Sequence, residues 1–280
     1  MKIGFIGIGN MGGSILKGYA RSAASAGNEI LIHDKTTENN HEMAAAIAGS
    51  GFSNKNLIIC NDNRELTAES DIIILGVKPN VVDDVLREIA PAEGKLLISM
   101  AAGVSLEKLA GFLNEAVPGS GDKAKIIRIM PNTPARVGMA MTSMSRNANV
   151  SDEDFALAKT IFDSVGSAEE VPEDMIHCVI GVSGSSPAYT YMYIEALAKA
   201  AVDNGMEPDK ARTFACQAVM GAARMALESK ESLEQLRINV CSPGGTSIEA
   251  VKKLQENGFM DDVAEAFQAA VDRSKEMTAE

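Results

Sequence analysis

Residues 2–14, reading KIGFIGIGNMGGS, constrain what this chain can fold into more than any other stretch. Ile3, Phe5, Ile6 and Ile8 make a short apolar run suited to a strand buried on both faces. Gly7, Gly9 and Gly12 then give the spacing G-x-G-x-x-G, and the pattern continues as a helix through Ser14 to Tyr19. Each glycine has a physical use in a dinucleotide-binding turn. Gly7 permits the tight turn, Gly9 lets backbone approach a pyrophosphate with no Cβ in the way, and Gly12 allows close helix–strand packing. Free N–H groups at the helix start, helped by the helix dipole, hold the phosphates. Glycines also gather in turns that bind nothing. The position straight after a strand and at the opening of a helix favours the dinucleotide reading.

At 280 residues the chain has room for one large domain or two modest ones. Its 46% hydrophobic residues are ample for a packed core, and 23% charged residues fit an ordinary soluble protein. A net charge of -12 argues against nucleic acid or an anionic membrane as the main partner. It leaves room for phosphate binding, since a helix N-terminus acts locally. The chain enters its first strand with no basic leader, and no apolar run approaches membrane-spanning length. Cys60, Cys178, Cys216 and Cys241 lack C-x-x-C or metal spacing, so reduced thiols in a cytoplasmic protein are expected. His33, His41 and His177 are equally dispersed, and no metal site is expected.

Alternation of strand and helix follows the glycine-rich turn. Strands are expected at residues 29–34, 57–60, 71–75, 95–99 and 125–129, with helices at 40–50 and 79–89 and a helix capped by Ser105. Such spacing implies βαβ crossovers and a parallel sheet, whose ligands bind beyond the carboxyl ends of the strands. The loops GVKP (76–79), SMAAG (99–103) and MPNTP (130–134) fall at those ends. Each alone reads as a tight connection; together with the glycines they read as a cofactor groove. Asp34 closes the second strand, where an acidic residue commonly receives the adenosine ribose hydroxyls and favours NAD. Lys35 beside it offers a cation to a 2′-phosphate instead, and a polar strand end without ligand is the bland alternative.

A helix over 151–165 and a short strand over 166–171 close this half. From residue 173 onward only helical periods remain, at 185–204, 208–227 and 263–277. The expected architecture is therefore α/β, with a Rossmann-type doubly wound sheet in residues 1–172 and an all-α domain in 173–280. Helices this dense in Ala and Met suggest a subunit interface, a self-contained bundle being the alternative. Two loops place small hydroxyl residues at helix starts: GVSGSSPAY (181–189) and NVCSPGGTS (239–247). Exposed amides and hydroxyls there suit a carboxylate, although each loop alone is also an ordinary N-cap with an early proline.

In this order, the segments GFIGIGNMGGSI, ILGVKP, SMAAGVS, RIMPNTPA, SGSSPAY and NVCSPGGTSI closely resemble Δ1-pyrroline-5-carboxylate reductases. The resemblance covers essentially the whole chain, and the SPGGT-type segment is its most diagnostic part. It implies NAD(P)H-dependent reduction of a cyclic imine carrying a carboxylate, giving L-proline, the last step of proline synthesis. It also implies a helical domain that builds a homodimer, in some members assembled into a decamer. The family's nucleotide contacts fall on Gly7, Ile8, Gly9, Asn10, Met11 and Gly12, on Asn63, on Gly76, Val77, Lys78 and Pro79, on Met100, Ala101 and Ala102, and on Asn239. Its substrate contacts fall on Glu173, Ser242, Gly245, Thr246 and Ser247.

Two departures stand out. Ser247 occupies a position where the family usually has a threonine that hydrogen-bonds the ring nitrogen; the hydroxyl is kept, and Ser247 is the expected catalytic residue. At the end of the second strand many relatives carry Ser, Asn or Arg, whereas Asp34 disfavours a 2′-phosphate and Lys35 favours one. NADPH is the expected cofactor, with NADH as the alternative. A β-hydroxyacid dehydrogenase would share the plan but resembles its relatives in a Lys-x-x-x-Asn pair. Here Lys199 meets Asp203, with Asn204 one step out of register. A non-enzymatic nucleotide-binding regulator would keep the glycines without needing the SPGGT loop.

Overall fold

The computed structural model describes residues 1–49 and 56–279. Strand and helix alternate through the first half: β1 (Lys2–Ile6), α1 (Asn10–Arg21), β2 (Glu29–His33), α2 (Thr37–Ala48), β3 (Leu57–Ile59), α3 (Asn63–Glu69), β4 (Ile72–Leu75), α4 (Val82–Ile89), β5 (Leu96–Ser99), α5 (Leu106–Ala116), the short α6 (Ser120–Lys123) and β6 (Lys125–Met130). Then come β7 (Ala140–Arg146), α7 (Asp152–Asp163) and β8 (Gly166–Glu170). The remainder is helical: α8 (Ile176–Val179), α9 (Ser186–Asp203), α10 (Pro208–Glu228), α11 (Leu233–Asn239), α12 (Thr246–Glu256) and α13 (Phe259–Ala279). No strand occurs beyond residue 173 among the described residues.

All eight strands join one sheet in the order β3-β2-β1-β4-β5-β6-β7-β8. β1 through β6 run parallel, β7 is antiparallel to β6, and β8 is parallel to β7. Strand order reverses at β1, between β2 and β4, which is the topological switch point of a doubly wound sheet. The period of two along each strand sorts side chains into two layers. Ile3, Phe5, Ile30, Ile32, Ile74 and Ile98 pack on one face with Ile15, Leu16 and Tyr19 of α1. Ile6, Leu31, Ile73, Leu75 and Leu97 pack on the other with Leu66, Val85, Leu86 and Leu109. Strands covered on both faces need continuous apolar runs, which is why β4 reads IIIL and is buried throughout.

Several expectations need correction. The polar sequence of 140–146 gave no sign of β7, which is inserted between β6 and β8. The helix expected over 40–50 begins earlier, at Thr37, and Ser50 lies outside the described residues. Pro79 opens a 3₁₀ turn (Pro79–Val81) that leads into α4. Ser105 does cap α5, its Oγ accepting from Lys108 N at 3.1 Å. The terminal helix, expected over 263–277, starts at Phe259.

The chain forms two compact units, Met1–Gly184 together with the last turns of α13 from Val271, and Ser185–Ala270. Residues 173–184, placed with the helical half from sequence, thus pack with the sheet. Ile176 is buried there, and Asn132 Nδ2 donates to Ser183 O at 3.0 Å.

Candidate active site

The glycine-rich turn is built by backbone crowding at the switch point. Gly7 adopts φ +83° as the chain leaves β1, and its N–H donates to His33 O at 2.8 Å. Gly76 N donates to Ile6 O at 2.8 Å, which brings the loop after β4 alongside. A Cβ on Gly12 would lie 2.5 Å from Gly7 O, and one on Gly76 would also run into Gly7 O. Gly7, Gly12 and Gly76 therefore have no room for side chains. Gly9 is different: a Cβ there would meet nothing within 4 Å.

Gly9 is the N-cap of α1, makes no side-chain cap hydrogen bond, and no acidic residue occupies the first turn. The amides of Asn10, Met11 and Gly12 are thus left for an anion. Arg136 Nη2 reaches Asn10 Oδ1 at 3.2 Å, adding positive charge over this helix start. A cleft of about 690 Å³ runs beside α1, lined by Gly9, Asn10, Lys17, Asn39 and Arg136 among others.

Asp34 and Lys35 follow β2. Asp34 Oδ2 accepts from Ile8 N at 2.9 Å, and its Oδ1 accepts from Thr36 N at 2.9 Å and Asn39 Nδ2 at 3.1 Å. Lys35 is exposed. Asn63 opens α3, where Asp62 caps by accepting from Glu65 N. Asn63 Nδ2 donates to Glu88 Oε2 at 2.7 Å, while its buried Oδ1 has no hydrogen-bond partner. Gly76, Val77, Lys78 and Pro79 follow β4, and Met100, Ala101 and Ala102 follow β5. Ala101 N donates to Ser99 Oγ at 3.3 Å, holding that second loop. The expected nucleotide contacts in residues 7–102 thus gather at the carboxyl ends of β1, β2, β4 and β5 and at the start of α3.

Sequence reasoning missed two polar anchors of this unit. Arg128, in the middle of β6, is 3% exposed, and its Nη1 donates to Glu173 Oε1 at 2.9 Å. That oxygen also accepts from Leu106 N at 2.8 Å, so Glu173 satisfies the first turn of α5 as well. Asn132 Oδ1 accepts from Met141 N at 2.9 Å and clamps the MPNTP loop to β7. An arginine interrupting the apolar run KIIRIM was the available signal, since a buried charge requires a partner. His177 Nδ1 lies 2.8 Å from Ser274 Oγ. Burial, and then the charges of Arg128 and Lys275, hold its imidazole below the usual histidine range.

The second unit carries the SPGGT loop. Asn239 ends α11, where its amide donates to Glu231 Oε2 and its carbonyl accepts from Gln235 Nε2, both at 2.8 Å. Gly244 adopts φ +72° and Gly245 N donates to Ser242 O at 3.0 Å, closing the turn. Gly245 then caps α12 without a side-chain hydrogen bond, leaving the amides of Thr246 and Ser247 in its first turn. Ser242, Thr246 and Ser247 are exposed beside that start. In the other hydroxyl-rich loop Ile180–Gly184 form a π-helical turn, and Ser185 is the N-cap of α9, with Pro187 in the first turn and no side-chain cap hydrogen bond. Lys199 is paired with Asp203 at 2.5 Å on the same face of α9, where a Lys-x-x-x-Asn pair would place an asparagine.

An uncapped α1, open space at Gly9 and an orphaned buried acceptor on Asn63 fit a dinucleotide, while the second unit presents hydroxyls and amides suited to a small anionic substrate. Fold and site together define an oxidoreductase that uses a nicotinamide cofactor. The family model described as pyrroline-5-carboxylate reductase dimerisation matches residues 173–277, and that described as NADP oxidoreductase, coenzyme F420-dependent, matches residues 2–103. Pyrroline-5-carboxylate reductase of Escherichia coli (strain K12) is 44% identical over 279 residues, covering 99% of this chain and 98% of that protein. The solved pyrroline-5-carboxylate reductase of Coxiella burnetii superposes with a TM-score of 0.89 at 33% identity, covering 99% of this chain and 98% of the other. The Plasmodium falciparum pyrroline carboxylate reductase solved with NADP bound gives a TM-score of 0.79 at 31% identity, with the same coverage. This chain belongs to the pyrroline-5-carboxylate reductase family. It is an enzyme of proline biosynthesis, and it self-associates through its dimerisation domain. Among the described residues no helix is long and apolar enough to cross a membrane, and no metal-binding cluster is present.

Proposed function

We propose that this reductase converts Δ1-pyrroline-5-carboxylate to L-proline with Ser247 at the reacting nitrogen and residues 7–12 holding the cofactor. The observation that carries this reading is the start of α12, where an uncapped helix presents amides beside the exposed hydroxyls of Ser242, Thr246 and Ser247. The amides of Gly245 and Thr246 hold the substrate carboxylate by charge-assisted hydrogen bonds. The bound dinucleotide supplies a hydride to the ring carbon of the C=N bond. Ser247 Oγ–H donates to the ring nitrogen, or relays a proton to it, as that nitrogen becomes an amine. Glu173 contributes through Oε2, since Oε1 is held by Arg128 and Leu106 N. A protonated imine is already strongly electrophilic, so most of the rate comes from holding the ring against the hydride donor.

The reading assigns the cofactor to Gly7–Gly12, Asn63, the loops at 76–79 and 100–102, and Asn239, with NADPH as cofactor and NADH as a weaker substitute. Lys35 supplies the cation for a 2′-phosphate. The functional division runs between a cofactor half, 1–172, and a substrate and dimerisation half, 173–280. The assembly is a homodimer, in the cytoplasm, a setting that four free cysteines suit. Steady-state kinetics with pyrroline-5-carboxylate provide the test. Ser247→Ala lowers kcat/KM by about 10²-fold or more, and Ser247→Thr restores it. A Ser247→Ala enzyme that keeps most of its rate removes Ser247 from the reaction.

A further inference from the structure

We infer that Asp34 is a positioning residue for the glycine-rich turn, not a ligand of the cofactor's adenosine ribose, and that it does not select NADH over NADPH. The inference rests on the reading that residues 7–12 hold a nicotinamide dinucleotide. Both carboxylate oxygens of Asp34 are already engaged by protein donors: Oδ2 by Ile8 N at 2.9 Å, and Oδ1 by Thr36 N at 2.9 Å and Asn39 Nδ2 at 3.1 Å. Its backbone is fixed as well, Asp34 N donating to Asn40 Oδ1 at 2.9 Å and Asn40 Nδ2 donating to Asp34 O at 2.8 Å. Asn40 is buried. With Gly7 N on His33 O, the fingerprint turn and the β2–α2 turn form one hydrogen-bonded unit with Asp34 at its centre.

Gripping both ribose hydroxyls requires an acceptor position on each oxygen. A carboxylate has about four such positions, two per oxygen. Oδ1 is filled by Thr36 N and Asn39 Nδ2, so a two-handed grip would break a bond that shapes the turn. The negative charge is also offset locally, by three N–H donors and by the nearby start of α2 at Thr37. That weakens its repulsion of a 2′-phosphate. Lys35, next in the chain, is exposed and makes no hydrogen bond or ion pair among the described residues. Discrimination at the 2′ position falls to this free cation.

The test measures KM and kcat with NADPH and NADH on pyrroline-5-carboxylate for the unaltered chain and for Asp34→Ala, Asn39→Ala and Lys35→Ala. Asp34→Ala raises both cofactor KM values by the same factor, about tenfold, with kcat falling less than KM rises. Asn39→Ala moves both in the same direction by a smaller factor, because it removes one of the bonds that orient Asp34. Lys35→Ala raises the NADPH KM more than the NADH KM. A loss confined to NADH in Asp34→Ala, or an improved NADPH KM, overturns the inference. Should Asp34→Ala fail to fold, Asn39→Ala decides by the ratio: a ribose-gripping, NADH-selecting Asp34 predicts an NADH KM that rises more than the NADPH KM, and a positioning Asp34 predicts that both rise by the same factor. If the unaltered enzyme uses neither cofactor, the underlying reading falls, an outcome distinct from a shifted ratio.

Discussion

A methyl group added at Gly12 would sit 2.5 Å from Gly7 O and 3.6 Å from Gly76 Cα, where β1 and the loop after β4 meet. The same methyl at Gly9 would touch no protein atom within 4 Å. The two substitutions therefore separate folding from ligand binding. Gly12→Ala destabilises the protein by about 1–3 kcal/mol through overpacking. Gly9→Ala leaves the melting temperature within about 2 °C, since no contact is lost, yet raises the cofactor KM about tenfold because the added Cβ faces the pyrophosphate. Thermal melts with and without NADPH check both, and a Gly9→Ala protein that binds cofactor normally contradicts the assignment. The glycine roles were legible because only glycine fits such places. The engagement of Asp34 was not, because its donors are two backbone amides and one asparagine, and neither spacing nor composition marks them.

At the scale of elements, parallel strands covered on both faces were easy to read from runs such as IIIL in β4, whereas β7 was invisible. In AMTSMSR, Ala140 and Met144 pack into the core, but Thr142, Ser143 and Ser145 are buried beside them between β6 and β8, so the apolar pattern is too sparse to mark a strand. The same region holds the junction of Arg128, Glu173 and Leu106 N, which ties residue 173 to β6 and α5. Sequence reading assigned Glu173 to the substrate by resemblance and gave no hint of its partners. Truncating it strands the Arg128 charge, 3% exposed, and uncaps an α5 amide. Glu173→Ala should therefore cost about 2–3 kcal/mol, below the usual loss for a fully buried pair because Glu173 itself is 30% exposed. Arg128→Met should cost less, since the remaining carboxylate can hydrate. Urea titrations of the two variants give the order, and a more stable Glu173→Ala than Arg128→Met would refute this account of the junction.

At the scale of the molecule, α9 has no buried residue and α10 buries only Ala211 and Ala215 within the single chain. Tyr191, Met192, Phe214, Met225 and Leu227 are all exposed, although apolar side chains of this size ordinarily find cover. The density of Ala and Met made an interface readable from sequence, but which side chains it would cover was not, because helices apolar on several faces have no single periodic stripe. Self-association through a dimerisation domain predicts cover for these side chains, and Phe214, 67% exposed in the lone chain, tests it. On a surface that stays wet, Phe214→Asp changes stability by no more than about 0.5 kcal/mol. In a subunit interface the same carboxylate is desolvated without a partner, costing at least about 2 kcal/mol per subunit. Because the native state then includes a second chain, the melting temperature of the unaltered enzyme should rise with protein concentration. Sedimentation velocity should show Phe214→Asp shifted towards the single-chain mass, with that concentration dependence reduced. A variant that keeps the parent's mass and melting behaviour would place Phe214 outside the contact between subunits.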